Sequence, residues 1–108
     1  MHRVERLIMG AVLLALACAA RAQSVGVTLI APAAKTVFVS GSFDTYWQKR
    51  YPLRRDTRGR WTAVLDLPPG RYEYQFLVDD TWQHDPSQSS VEDSFGARNN
   101  VLIVLPGE

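Results

Sequence analysis

Beyond residue 22 the apolar positions recur every second residue, in short runs divided by turn formers. No run repeats with the 3.6-residue period of a helix. Val25, Val27 and Leu29 alternate in a first predicted strand that Pro32 ends. Val37 and Val39 alternate with Phe38 and Ser40 in a second, which Gly41 closes. Trp61, Ala63, Leu65 and Leu67 share one face of a third strand, with Thr62, Val64 and Asp66 on the other. Pro68-Pro69-Gly70 forces a turn, because proline fixes φ and glycine opens the rest of backbone space. Tyr72, Tyr74, Phe76 and Val78 form the inward face of a fourth strand, and Glu73, Gln75 and Leu77 face away. Asp79-Asp80 predicts a tight reversal into a short strand carrying Trp82. Val101, Ile103 and Leu105 alternate in a last strand that Pro106-Gly107 ends. Short strands with turn signals at this spacing predict an all-β sandwich with no helix longer than about two turns. Two irregular stretches, 43–52 and 84–99, are long for so small a sandwich and are where function is expected.

The N-terminus follows a different pattern. His2, Arg3 and Arg6 precede an apolar run from Leu7 to Ala20, and Ala20-Arg21-Ala22 supplies the small-x-small pattern of a cleavage site. This reads as a secretory signal peptide, residues 1–22, cut before Gln23, leaving one β-sandwich domain over 23–108. The run is about 14 residues, short of the roughly 20 that a membrane-spanning helix needs, so no span is expected. A rival reading lipidates Cys18, the single cysteine, as the anchored N-terminus of a lipoprotein. Ala15 stands where such sites usually carry leucine. In either case no cysteine is left for an internal disulfide, and a secreted or periplasmic domain would depend on its core alone.

Processing also changes the charge. The whole chain carries +1, from 12 basic and 11 acidic residues. Removing Arg3, Arg6, Arg21 and Glu5 leaves 9 basic and 10 acidic residues, a net charge near −1. That balance gives no general attraction to nucleic acid or to an anionic membrane.

Four segments stand out in order: Gly41-Ser42-Phe43-Asp44-Thr45-Tyr46-Trp47, then Leu67 to Phe76, then Val78 to Pro86, then Phe95-Gly96-Ala97-Arg98-Asn99-Asn100-Val101. Together they resemble carbohydrate-binding module family 48, which includes the glycogen-binding domains of AMP-activated protein kinase β subunits and the early-set domains of isoamylases and branching enzymes. The resemblance runs from about Lys35 to Leu105. It implies an immunoglobulin-like, early-set sandwich that binds an α-1,4-glucan polysaccharide or maltooligosaccharide, with a glucan-active enzyme as a further partner. It implies no cofactor and no catalysis.

The chemistry of such a site needs few residue types. Flat aromatic rings cover the apolar face of a pyranose, and amides match its rim of hydroxyls. By resemblance, the first platform falls at Tyr46 or Trp47 and the second at Trp82. Gln75 stands where the family carries a lysine, Phe95 matches an apolar residue that inserts into the coiled glucan, and Asn99 matches a following asparagine. Asp80 replaces the usual glycine of the tight turn, and Asp tolerates positive φ better than most residues. On pattern alone, Trp61, Tyr72, Tyr74 and Phe76 belong to the core; the resemblance implies that Trp82 is exposed, against the plainer reading that it closes the sandwich edge. Phe95 reads either as a loop anchor or as a ligand contact.

Other chemistry finds little support. His84 is the single histidine after residue 22, and a metal site needs more converging ligands. His84, Asp85 and Ser87 are too close in sequence to converge as a triad, and a turn stabilised by Asp85 is expected instead. The acids Asp79, Asp80, Asp85, Glu92 and Asp93 lack a cleft to set a glycosidase pair. Lys49, Arg50, Arg54, Arg55, Arg58 and Arg60 form the densest charge, read as a solvated loop and edge. Two functions therefore compete: a glucan-binding module, and an early-set scaffold for protein or envelope contacts without sugar binding. They differ in whether Tyr46 or Trp47, Trp82 and Phe95 share one exposed surface.

Overall fold

The computed structural model describes residues 21–107. Most of the expected signal segment, Cys18 included, therefore lies outside the described residues. Among the described residues nine strands build two antiparallel sheets. They are β1 (Gln23–Ile30), β2 (Val37–Gly41), β3 (Tyr51–Pro52), β4 (Arg54–Arg55), β5 (Arg60–Leu67), β6 (Gly70–Val78), β7 (Thr81–Gln83), β8 (Ser90–Glu92) and β9 (Arg98–Val104). One sheet runs β1-β5-β4. The other runs β3-β2-β6-β9-β8, with β7 also paired to β6. No helix occurs among the described residues.

The core lies between the sheets. Val27, Leu29, Trp61, Leu65 and Leu67 come from the first sheet, and Val37, Val39, Tyr74, Phe76 and Val104 from the second. Val25 and Ala63, expected on the same inward faces, are partly buried and pack against it. So does Tyr72, whose hydroxyl donates to the Pro68 carbonyl at 2.6 Å across the Pro-Pro-Gly turn. Trp61 is 7% exposed, and its indole N–H donates to the Ala31 carbonyl at 2.9 Å. A buried tryptophan with its one donor satisfied is a core residue.

The last strand corrects the sequence reading. Ile103 and Leu105 are exposed, while Leu102 and Val104 pack inward. The run Val101 to Leu105 is apolar on both faces, so alternation alone could not choose between its two registers. Register is set by the Tyr74–Asn100 and Tyr72–Leu102 pairings across β6. The 43–52 and 84–99 stretches also contain more structure than their sequence announces, namely β3 and β8, each too short to show a period.

The reversal after β6 forms as expected. Asp79 and Asp80 both take positive φ, 46° and 67°, and Val78 pairs with Thr81. Two consecutive left-handed residues make the turn that matches strand twist. The Asp79 carboxylate is also used: one oxygen accepts from the Lys35 and Thr36 N–H groups at 2.8 and 2.9 Å. These bonds to the charged form hold its carboxyl below the ordinary carboxylate value, the Thr36 bond contributing most.

Candidate functional site

The site arises from a notch in the second sheet. On one edge of β6, β2 pairs along Tyr74–Val78. On the other, β9 pairs along Gly70–Tyr74 and β7 along Phe76–Val78. Gln75 sits where those two ladders part. Because side chains alternate across the sheet, the register forms rows on its outer face. One row is Phe38–Leu77–Trp82, and the next begins Ser40–Gln75 and continues towards Asn99. Leu77 is buried in that first row, outside the main core, because its cross-strand neighbours cover it.

Ser40, Trp47, Gln75, Trp82, Asp93 and Asn99 line one concave surface of about 310 Å³. Four of the six residues proposed from sequence are therefore brought together: Trp47, Gln75, Trp82 and Asn99. Tyr46 and Phe95 are not. Tyr46 is 76% exposed and outside the concavity, whereas Trp47 lines it. Phe95 is 93% exposed, which removes the reading of an inward loop anchor, yet it too lies beyond the concavity.

Trp47 reaches the notch because its loop is tied back. The Trp47 N–H donates to the Asp44 carbonyl at 3.1 Å, and the Lys49 N–H to the Asp44 carboxylate at 2.6 Å. Trp47 itself adopts φ 56°, the left-handed region that a bulky residue rarely enters. The fully buried Ser40 hydroxyl donates to its carbonyl at 3.0 Å and secures that geometry. The loop begins at Gly41, where a Cβ would meet Phe43 at 2.5 Å and the Glu73 carbonyl at 2.6 Å.

The polar groups form a chain. Gln75 Nε2 donates to the Arg98 carbonyl at 3.0 Å and to Asn99 Oδ1 at 2.8 Å. Asn99 Nδ2 donates to Glu73 Oε1 at 3.2 Å and to Asp93 Oδ2 at 3.4 Å. Arg71 pairs with Glu73 at 3.0 Å. That bond, and then the one from Asn99, holds the Glu73 carboxyl below its ordinary value. The amide N–H groups are thus committed within the protein. Gln75 Oε1 accepts no hydrogen bond among the described residues and is left as an acceptor. Asp93 adds a carboxylate, and it also shapes the loop: Oδ1 accepts from Phe95 N–H at 2.8 Å and Ala97 N–H at 3.0 Å.

The Arg50 guanidinium carbon lies 5.5 Å from the centroid of the Trp82 ring. Sequence reading missed Ser40, Asp93 and Arg50. Only Asp93 left a trace, as the acidic first residue of the Asp93-Ser94-Phe95-Gly96 turn. Asp85 does stabilise its turn as expected, accepting from Ser87 N–H at 2.9 Å and Ser87 Oγ at 2.7 Å. No group of three or more metal-ligating side chains occurs among the described residues.

Two aromatics, a polar rim and a shallow concavity on a sandwich face make a surface of the ligand-binding type. The family described as the glycogen recognition site of AMP-activated protein kinase matches residues 31–107, and the chain belongs to that family. Its relatives include the β-1 subunit of 5'-AMP-activated protein kinase of Sus scrofa, 46% identical over 70 residues that cover 65% of this chain and 55% of that protein. The β-2 subunit of Mus musculus is 43% identical over 65% of this chain and 25% of its own length. The chain thus spans a quarter to about half of these relatives. Among solved structures, the apo pullulanase of Paenibacillus barengoltzii is similar at a TM-score of 0.53 and 27% identity, over 77% of this chain and 14% of that one. A putative alpha amylase of Salmonella typhimurium shares the fold at a TM-score of 0.59 and 18% identity, over 78% of this chain and 14% of that one. The family is a non-catalytic carbohydrate-binding module carried by larger proteins.

Proposed function

We propose that this chain is an exported, non-catalytic α-glucan-binding domain. The observation that carries this reading is the convergence of Trp47, Gln75, Trp82 and Asn99 on one concave face. Trp47 and Trp82 stack on the apolar faces of glucose units. Gln75 Oε1 and the Asp93 carboxylate accept from sugar hydroxyls. Asn99, buried and bonded on every side, holds Gln75 and Asp93 in place. Two stacking platforms at about 1–2 kcal/mol each, by analogy with bases on aromatics, with little net gain from hydrogen bonds in competition with water, give dissociation constants from about one to tens of millimolar.

The first 22 residues support export, in which case the domain meets imported maltodextrin or environmental starch, alone or beside a glucan-active enzyme. Titration of the purified protein with maltoheptaose, with a cellulose oligomer as control, tests the reading. Saturable binding of the α-glucan alone is expected. No binding at maltoheptaose of about 50 mM would overturn it in favour of a scaffold.

A further inference from the structure

Trp82 stands on a strand of three residues, Thr81–Gln83, all of them exposed. Its backbone pairs with Leu77, but no hydrogen bond of its side chain to another described residue fixes the indole. An aromatic platform gains most when its ring is held in the binding orientation before the ligand arrives. Arg50 supplies such a hold. Its guanidinium carbon lies 5.5 Å from the ring centroid, within the range of cation–π attraction.

Arg50 is itself well placed for this. On one side the Asp44 carboxylate fixes the Lys49 N–H, and on the other Tyr51 pairs with Val39. No carboxylate lies within ion-pair distance of Arg50 among the described residues, so its charge is directed at the ring alone. Trp82 lines the concavity and Arg50 does not. Arg50 thus meets the ring from outside the residues that line the concavity.

We propose that Arg50 is a positioning residue for glucan binding: it stacks on Trp82 outside the concavity and locks the ring so that the side towards Trp47 and Gln75 stays open to sugar. This rests on the glucan reading above. Arg50 acts through Trp82 and not by touching the ligand. Its cation is the useful feature, since a neutral side chain would not grip the ring from a solvent-exposed loop.

The test uses the three indole N–H resonances of the isotope-labelled protein, from Trp47, Trp61 and Trp82, assigned with single Trp→Phe variants. Arg50→Ala should move the Trp82 resonance, leave that of Trp61 in place, leave the melting temperature unchanged, and weaken maltoheptaose binding about two- to fivefold. Arg50→Lys should restore most of the affinity and Arg50→Gln should not. In a Trp82→Ala background, Arg50→Ala should cost nothing further. Unchanged or tighter binding by Arg50→Ala would overturn the proposal, the latter by showing that Arg50 competes with sugar for the ring. A further loss in the Trp82→Ala background would overturn it by showing direct contact with the ligand. If the unaltered protein fails to bind maltoheptaose at all, the glucan reading falls and this role falls with it. Failure confined to the Arg50 variants leaves that reading standing.

Discussion

Ser40 donates its hydroxyl to the carbonyl of Trp47 at 3.0 Å, tying a fully buried strand residue to the aromatic that hangs over the sheet. A side chain on the outer face of β2 would ordinarily meet solvent. Here it is covered, and its one donor holds a backbone carbonyl in a left-handed segment. Ser40→Ala should therefore cost about 1 kcal/mol. For a domain of this size that lowers the melting temperature by roughly 4–8 °C. Maltoheptaose affinity should fall with it, because Trp47 loses its anchor. A stable variant with unchanged affinity would mean that Asp44 holds the loop unaided.

Asn100 makes a stronger clasp. Fully buried on β9, it accepts from the Asp85 N–H at 2.7 Å and donates to the Asp85 and Ser89 carbonyls at 2.9 and 3.2 Å. One side chain thus satisfies three backbone groups of the 84–89 loop. Asn100→Ala leaves a buried donor and two acceptors without partners. It should cost about 2–4 kcal/mol, a large share of the 5–15 kcal/mol typical of a domain. Urea denaturation should show a lower midpoint with an unchanged slope.

Legibility in the sequence followed burial. Strands with one clean inward face, such as β5 and β6, were readable because alternation has a single solution there. The β9 face was not, since Val101 to Leu105 offers apolar residues in both registers and only pairing with β6 decides. Trp61 was readable as core from its place on an alternating inward face, and Trp82 as exposed mainly through the resemblance. Phe95 and Tyr46 were placed in the site by resemblance, yet loop geometry turns both outside the concavity. Arg50 left no local signal, because its contact with Trp82 depends on how two loops meet in space.

Acid should weaken the fold through Asp79 and Glu73. Their ordinary values are 3.8 and 4.5, and both are depressed in the folded protein, Asp79 mainly by the Thr36 N–H and Glu73 mainly by Arg71. A depressed carboxylate binds its proton more readily when unfolded, so the stabilisation is full above the ordinary value. It is lost as pH falls through the lower folded value. Melting temperature should thus be flat near neutrality and fall below about pH 4.5. Asp79→Asn should flatten that fall, since the amide oxygen still accepts from Lys35 and Thr36 without titrating. An equally steep fall in the variant would remove Asp79 as a cause.

Processing gives a prediction independent of binding. Protein recovered after export should begin at Gln23, directly after Ala20-Arg21-Ala22. Intact-mass measurement reads this directly. A lipid-bearing species starting at Cys18 would replace the secreted reading with a membrane-anchored one.

The two tryptophans Trp82 and Trp61 should respond to the same substitution in opposite ways. Trp82 is 44% exposed and lines the concavity, whereas Trp61 is 7% exposed and spends its indole donor on Ala31. Trp82→Ala should leave the melting temperature nearly unchanged and weaken maltoheptaose binding about tenfold, the loss of one stacking platform. Trp61→Ala opens a core cavity and should cost about 3–5 kcal/mol, enough to leave much of so small a domain unfolded. Binding by the unaltered protein should depend little on salt, because stacking and hydrogen bonds to an uncharged sugar carry it and no ion pair with the sugar does. Thermal melting and maltoheptaose titration of both variants separate the outcomes. A folded Trp82→Ala protein with full affinity would take Trp82 out of the site and leave Trp47 as its one aromatic platform.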